Sequence, residues 1–269
     1  MREFRISLIV LITMVITFTL NAISFAAFEK THVGARSMAL GGATIASTED
    51  STAIYHNPAL LADLSYLNVV SMYGELYGPG SLDNNWISGS YPFGDFTVAA
   101  GVSNLNQSSI DYKETTFLLG SGLRVGNINL GFATKSHSLS TPVGTAKGLG
   151  IDAGALFRYN NLSISIVAKD LYSKIEYTSG LNQPNDLQLT AGIAYRGNGF
   201  IVETNLEQEN QMAFGIEKAI SSQMKIRGGL YNKQVSFGVG LELNFLNIDY
   251  AYQTHEMGGS NLLTLGFSW

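Results

Sequence analysis

From Leu64 onward the chain is a succession of segments that alternate, every second residue, between apolar side chains and small or polar ones. That period belongs to β-strands whose two faces meet different surroundings. In 148–159, Leu149, Ile151, Ala153, Ala155, Phe157 and Tyr159 oppose Gly150, Asp152, Gly154, Leu156 and Arg158. In 234–244, Val235, Phe237, Val239, Leu241 and Leu243 oppose Ser236, Gly238, Gly240, Glu242 and Asn244. Strands are predicted at 66–76, 85–92, 96–103, 115–125, 127–137, 148–159, 162–169, 186–196, 199–207, 211–218, 224–231, 234–244, 246–254 and 261–269. Tight turns follow the even-numbered strands, at Gly94-Asp95, Gly126, Asn160-Asn161, Gly197-Asn198, Ser221-Ser222 and Phe245. Longer connections follow odd-numbered ones, at 77–84, 104–114, 138–147 and 170–185, while 208–210 and 232–233 are short. An even strand count with short turns at one end and longer loops at the other predicts an all-β fold. Its form is a closed antiparallel transmembrane β-barrel of fourteen strands, spanning 65–269. Tyr91, Tyr159, Tyr195 and Trp269 fall at the turn end, where an aromatic girdle belongs.

Composition sharpens this picture. The 269 residues include 29 Gly, 13 Tyr and 14 Phe, only 14% are charged, and the net charge is −5. Cysteine is absent, which excludes disulfides, thiolate metal sites and thiol nucleophiles. The acidic balance argues against nucleic acid as a partner. Residues 1–26 read as a secretory signal, with Arg2 and Arg5 ahead of the apolar stretch 6–20 and Ser24-Phe25-Ala26 before the cut. Beyond them no apolar run is long enough for a spanning helix. The expected location is therefore the outer membrane of a diderm bacterium, in contact with its lipid. The last strand alternates Leu263, Leu265, Phe267 and Trp269 with small or polar residues, resembling the signal read by the barrel-assembly machinery.

Many glycines fall on the inward face, among them Gly120, Gly122, Gly131, Gly154, Gly215, Gly229 and Gly238. Glycine there marks a close approach by something else. The segment 27–64 does not alternate, contains a short helix-like stretch near 51–55, and is predicted to fold into the barrel mouth as a hatch or plug. It carries Gly34-Ala35-Arg36-Ser37-Met38-Ala39-Leu40-Gly41-Gly42-Ala43, then Asp50 and Asn57-Pro58-Ala59-Leu60. These residues resemble the N-terminal hatch of the FadL-like outer-membrane proteins, particularly the PorV/PorQ branch. The resemblance is specific over 33–62 and architectural elsewhere. It implies a plugged fourteen-strand barrel that passes or holds small hydrophobic molecules; for the PorV/PorQ branch it implies a component of a protein secretion or surface-attachment system. This chain is shorter than a typical fatty-acid transporter, and its outer loops are brief. Within the motif, Asn57 and Pro58 are expected to build a turn, Gly41 and Gly42 to allow backbone crowding, and Arg36 to pair with the wall.

A partner for Arg36 is available. Glu217, Lys225, Arg227, Glu242 and Asp249 all point inward at the turn end by parity, as a ladder of opposite charges. One expectation is simple mutual neutralisation; the other is a latch holding the hatch through Arg36 and Asp50. No catalytic constellation accompanies it. His32, His56, His137 and His255 are scattered, and no G-x-S-x-G, H-E-x-x-H or P-loop occurs. No cofactor or metal is called for, and an enzyme is not expected. An open porin is disfavoured because the hatch would obstruct the lumen.

Overall fold

The computed structural model describes Phe28, 31–180, Asn182 and 184–269; the expected signal segment 1–26 lies outside the described residues. The chain forms β1 (Asn68–Leu76), β2 (Leu82–Phe93), β3 (Phe96–Gln107), β4 (Tyr112–Val125), β5 (Ile128–Thr141), β6 (Gly144–Tyr159) and β7 (Leu162–Tyr177). There follow β8 (Gln188–Gly197), β9 (Phe200–Glu207), β10 (Met212–Ala219), β11 (Met224–Tyr231), β12 (Gln234–Leu243), β13 (Leu246–Gln253) and β14 (Ser260–Ser268). Each strand pairs antiparallel with its sequence neighbours, and β1 closes the ring on β14 with Asn68 opposite Ser268. Closure leaves no strand edge, the condition under which a sheet can sit in lipid.

The apolar parity faces outward. Leu149, Phe157, Tyr159, Phe132, Leu119, Phe237 and Val239 are exposed on the outer wall, while Asp152, Leu156, Ala133 and Leu118 on the alternate positions are buried. Leu149 and Tyr159 on β6 are ten residues apart. That is roughly 33 Å of strand, or about 25 Å of height at a tilt near 40°, the height of a bilayer-facing band. Tyr91, Tyr159, Tyr195 and Trp269 stand exposed at the turn end of that band.

Three of the four long connections are shorter than the sequence pattern implies. The loops shrink to 77–81, 108–111 and 142–143, because β2 to β7 continue for 12 to 16 residues; only 178–187 stays long. Above the band the outward positions of β5 become Thr134, Ser136, Ser138 and Ser140, so the apolar period fades. The inward positions Leu139, Ala146 and Ile175 continue as a small buried cluster that holds these hairpins together. Strands β8 to β13 have only 8 to 10 residues, and the rim is low on that side.

The segment ahead of β1 lies against the inward face. A short helix α1 (Ala35–Ala39) packs on β11–β14, α2 (Ala53–His56) on β3 and β4, and a 3-10 turn (Pro58–Asp63) on β3–β6. Its apolar residues Val33, Met38, Leu40, Ile54, Leu60 and Leu61 are almost fully buried. The wall makes room with glycine. A Cβ on Gly122 would stand 2.6 Å from the Ala62 nitrogen, and one on Gly215 2.7 Å from the Leu40 carbonyl oxygen. On Gly131 it would collide with the Pro58–Ala59 peptide. Gly131 has an ordinary strand backbone, so collision is the whole cost of a side chain there. Gly131→Ala is expected to destabilise the detergent-folded protein by about 1–3 kcal/mol. Outward Gly228→Ala, which meets only the Ile216 Cγ2 at 4.0 Å, should stay within about 0.5 kcal/mol. Thermal unfolding followed by circular dichroism distinguishes the two.

Candidate functional site

The motif residues Gly34, Arg36, Gly41, Gly42, Asp50, Asn57, Pro58 and Ala59 all lie inside the ring, each with a distinct task. Gly34 takes φ 85° and its N–H points at the Met72 sulfur, 3.0 Å away, while the next amide, Ala35, donates to Thr264 Oγ1 at 2.8 Å. Gly41 and Gly42 turn the chain back with φ 64° and 82°, a conformation that glycine alone adopts freely. A Cβ on Gly41 would come within 2.7 Å of the Leu230 nitrogen, so the second requirement there is space. Asn57 is fully buried; its Nδ2 donates to the Ile45 carbonyl at 2.8 Å and its Oδ1 accepts the Ala59 amide at 3.0 Å. Asn57 thus pins the two halves of the segment to each other, and Pro58 begins the 3-10 turn that Asn57 caps.

The charge ladder is assembled around one carboxylate oxygen. Glu217 Oε2 accepts from Arg36 Nε at 2.9 Å and from Arg227 Nε at 2.7 Å; Arg227 also reaches Asp249, and Lys225 pairs with Glu242. Glu217 and Arg227 are buried. Burial disfavours the Arg36 cation, but the carboxylates of Glu217, Glu49 and Glu203 outweigh it and hold the guanidinium above its ordinary pKa. Arg36 also donates to the Ser47 carbonyl at 3.2 Å. Asp50 departs from the expected latch. Its carboxylate is used locally, accepting the Thr52 amide at 2.8 Å and the Thr52 hydroxyl, and it forms no ion pair with the ladder. Desolvation pushes the Asp50 carboxyl above its usual range, against those hydrogen bonds, which lower it.

Two attachments were not foreseen from the sequence. Asp63 accepts from Arg124 Nη2 and Asn129 Nδ2, both at 2.7 Å, and from Arg158, so the end of the segment is tied to β4, β5 and β6. Glu203 on β9, buried, accepts the Ala46 amide at 2.7 Å. Inward parity was the available signal for Glu203, Arg124 and Arg158; pairing them with a non-periodic segment needed three dimensions.

Toward the loop end a cavity of about 580 Å³ stands above Gly41 and Gly42. Phe28, Leu76, Tyr77, Leu82, Leu105 and Tyr112 supply its apolar lining; the rest is polar and includes the carboxylates Glu114 and Asp186 together with Gln188, Gln234, Gln253 and His255. Its volume lies within the range of small-molecule pockets. Beside it, Lys135 Nζ bridges Asp152 and Asp170 at 2.8 and 2.7 Å, and Lys169 lies 4.0 Å over the Tyr55 ring. The wall is interrupted at the same height. The β7–β8 ladder ends at Lys169 opposite Gln188, and Asp170 bulges at φ 55° where the β6–β7 register shifts. Above that point, among the described residues, β7 meets on its β8 side an isolated bridge from Glu176 to Asn182 and the Asn185 amide donating to Ser173 Oγ at 2.9 Å.

No family model matches the chain, and no curated protein does. Solved structures match its fold. The Pseudomonas putida toluene transporter TodX superposes with a TM-score of 0.63 at 12% identity, over 90% of this chain and 98% of that one. The Ralstonia pickettii toluene transporter TbuX gives 0.55 at 14% identity, over 90% and 98%. A TodX deletion mutant described as a monoaromatic hydrocarbon channel gives 0.59 at 12%, over 88% and 98%. At such identity the likeness is one of fold: this chain shares the barrel architecture of these solved structures. The PorV/PorQ branch is not singled out.

The geometry ranks the ion pairs. Removing the Glu217 charge leaves Arg36 and Arg227 facing each other in a buried site, which costs about 3–5 kcal/mol. Glu242, whose side chain is 42% exposed and pairs with Lys225, is worth about 0–1 kcal/mol. Glu217→Gln is therefore expected to lower the unfolding midpoint far more than Glu242→Gln, measured by differential scanning fluorimetry in detergent.

Proposed function

We propose that this protein is an outer-membrane channel of the FadL type that admits small hydrophobic molecules into a barrel closed by its own N-terminal hatch. The observation that carries the reading is the 580 Å³ chamber, lined by Leu76, Leu82, Leu105 and aromatic rings and floored by the hatch glycines. Leu76, Leu82, Leu105 and the rings of Phe28, Tyr77 and Tyr112 form an apolar side on which a molecule the size of a monoaromatic hydrocarbon would shed water favourably, while Glu114, Asp186, Gln188, Gln234 and Gln253 make the rest of the lining polar. The toluene transporters share the fold and carry that cargo by name, which supports the same class here.

On this reading the loop end faces outward, the tight turns face the periplasm, and the molecule enters the chamber from outside. Passage onward requires either that the hatch shift off the wall or that the molecule leave sideways where the β7–β8 ladder stops. The chain acts as a passage and not as an enzyme, delivered to the membrane by the barrel-assembly machinery through the strand that ends at Trp269. The secretion-accessory reading has no observation of its own, and the same experiment exposes it.

The test is native mass spectrometry of protein extracted from outer membranes in a mild detergent, followed by titration with toluene. Wild-type protein is expected to carry or take up an apolar ligand of a few hundred daltons or less. Leu105→Asp, which puts a carboxylate into the chamber wall, should weaken binding about tenfold or more. Copurification of another polypeptide with no small ligand, and no binding of toluene, would replace transport with the secretion role.

A further inference from the structure

We infer that the outer wall of the tall β4–β7 hairpins carries a docking strip for phosphate-bearing lipid head groups of the outer leaflet. The inference rests on the membrane placement proposed above, and it concerns the lipid-facing surface, away from the chamber. The register sets out the strip. Phe117, Ser136, Leu149 and Lys174 lie in one row across the four strands, and beneath it the rows are mainly apolar down to Val125, Ile128, Phe157 and Ile164. The next row up reads Thr115, Ser138, Lys147 and Glu176; the one above reads Lys113, Ser140 and Thr145. The change from hydrocarbon-compatible to cationic and hydroxylic side chains thus occurs across a single row, at the top of the apolar band.

Lys113, Lys147 and Lys174 are exposed, and all three stem from outward positions. Lys174 holds Glu176 at 2.6 Å, whereas Lys113 and Lys147 form no ion pair among the described residues. Two acids face this strip, Glu176 within it and Asp111 in the turn above Lys113, so the cations remain in excess. Elsewhere at the same height the sign reverses: Glu75 and Asp83 stand opposite each other on β1 and β2. Neighbouring strands are about 4.8 Å apart and successive outward positions about 6.6 Å, which sets Lys113 and Lys174 roughly 20 Å apart with Lys147 between them, a span that long lysine side chains narrow toward the two phosphates of one diphosphorylated head group. Serine and threonine hydroxyls between them supply donors for phosphate oxygens. Long lysine stems also cover the last apolar row while the charge reaches up into the head-group layer. A basic cluster at a lipid surface selects anionic lipids, at about fivefold in affinity per residue.

The experiment uses the full chain folded in detergent and titrated, under native mass spectrometry, with diphosphoryl lipid A and with the same lipid dephosphorylated. Wild-type protein should retain the diphosphoryl form at least tenfold better. The triple variant Lys113→Gln, Lys147→Gln, Lys174→Gln should lose that preference, and Lys218→Gln, an exposed lysine at the turn end, should keep it. Equal retention of the two lipids by wild type, or an unchanged preference in the triple variant, would overturn the strip. Insertion into lipid vesicles, scored by heat-modifiable migration, is measured alongside. Failure of wild type to insert would instead remove the membrane placement itself, and a well-inserted barrel without phosphate preference would refute only the strip.

Discussion

A ring of fourteen strands encloses more space than its own inward side chains can fill, and the rest of this structure answers that excess. Eight strands make a barrel that side chains alone can pack; wider rings hold water, a ligand or an inserted segment. Here residues 31–63 occupy the interior, and the wall receives them with glycines at contact points such as Gly122, Gly131 and Gly215. The close fit explains why the wall tolerates so many residues that weaken strands individually. What each glycine loses in strand propensity is offset by burial of Leu40, Ile54, Leu60 and Leu61 against the ring.

Charge then decides where the segment sits. Buried ion pairs seldom add net stability, but they penalise any arrangement that separates them. Glu217 takes Arg36 from the segment and Arg227 from the wall on the same oxygen, so any shift of α1 away from the wall would separate a buried ion pair. At the other end Asp63 is held by Arg124 and Arg158, whose side chains are 42% and 36% exposed. Water competes with that second attachment and leaves the Glu217 one alone. The segment's ion pair is thus buried at the Glu217 end and partly exposed at the Asp63 end, where close packing on Gly122 and Gly131 does the holding, and Asn57 keeps its halves together.

Much of this was legible in the chain. Period-two alternation located all fourteen strands, because one face meets lipid and the other does not. Parity also placed Glu217, Arg227 and Asp249 inside, and the inward glycines indicated a close neighbour. Strand ends at the loop side were not legible: beyond Phe132 on β5 the outward residues turn to Thr and Ser, and alternation in hydropathy ceases while the strand goes on. The Arg36–Glu217 contact was within reach, since both belong to short candidate sets. The local use of Asp50 follows from its position: a carboxylate two residues before a threonine accepts that threonine's amide and hydroxyl. Asp63 and Glu203 lay beyond any period, since each joins a wall strand to a segment that has none. The chamber likewise emerges only when Phe28, Thr31, His32, Gly41 and Gly42 are laid against the tops of distant strands.

The central claim, that residues 31–63 seal the barrel, is tested most directly by planar-bilayer conductance. Wild-type protein should remain closed to small ions at moderate voltage, and a variant with 31–63 replaced by a short Gly/Ser linker should open large, steady channels. Porin-like conductance from the wild type, or a silent barrel after the segment is removed, would contradict the account.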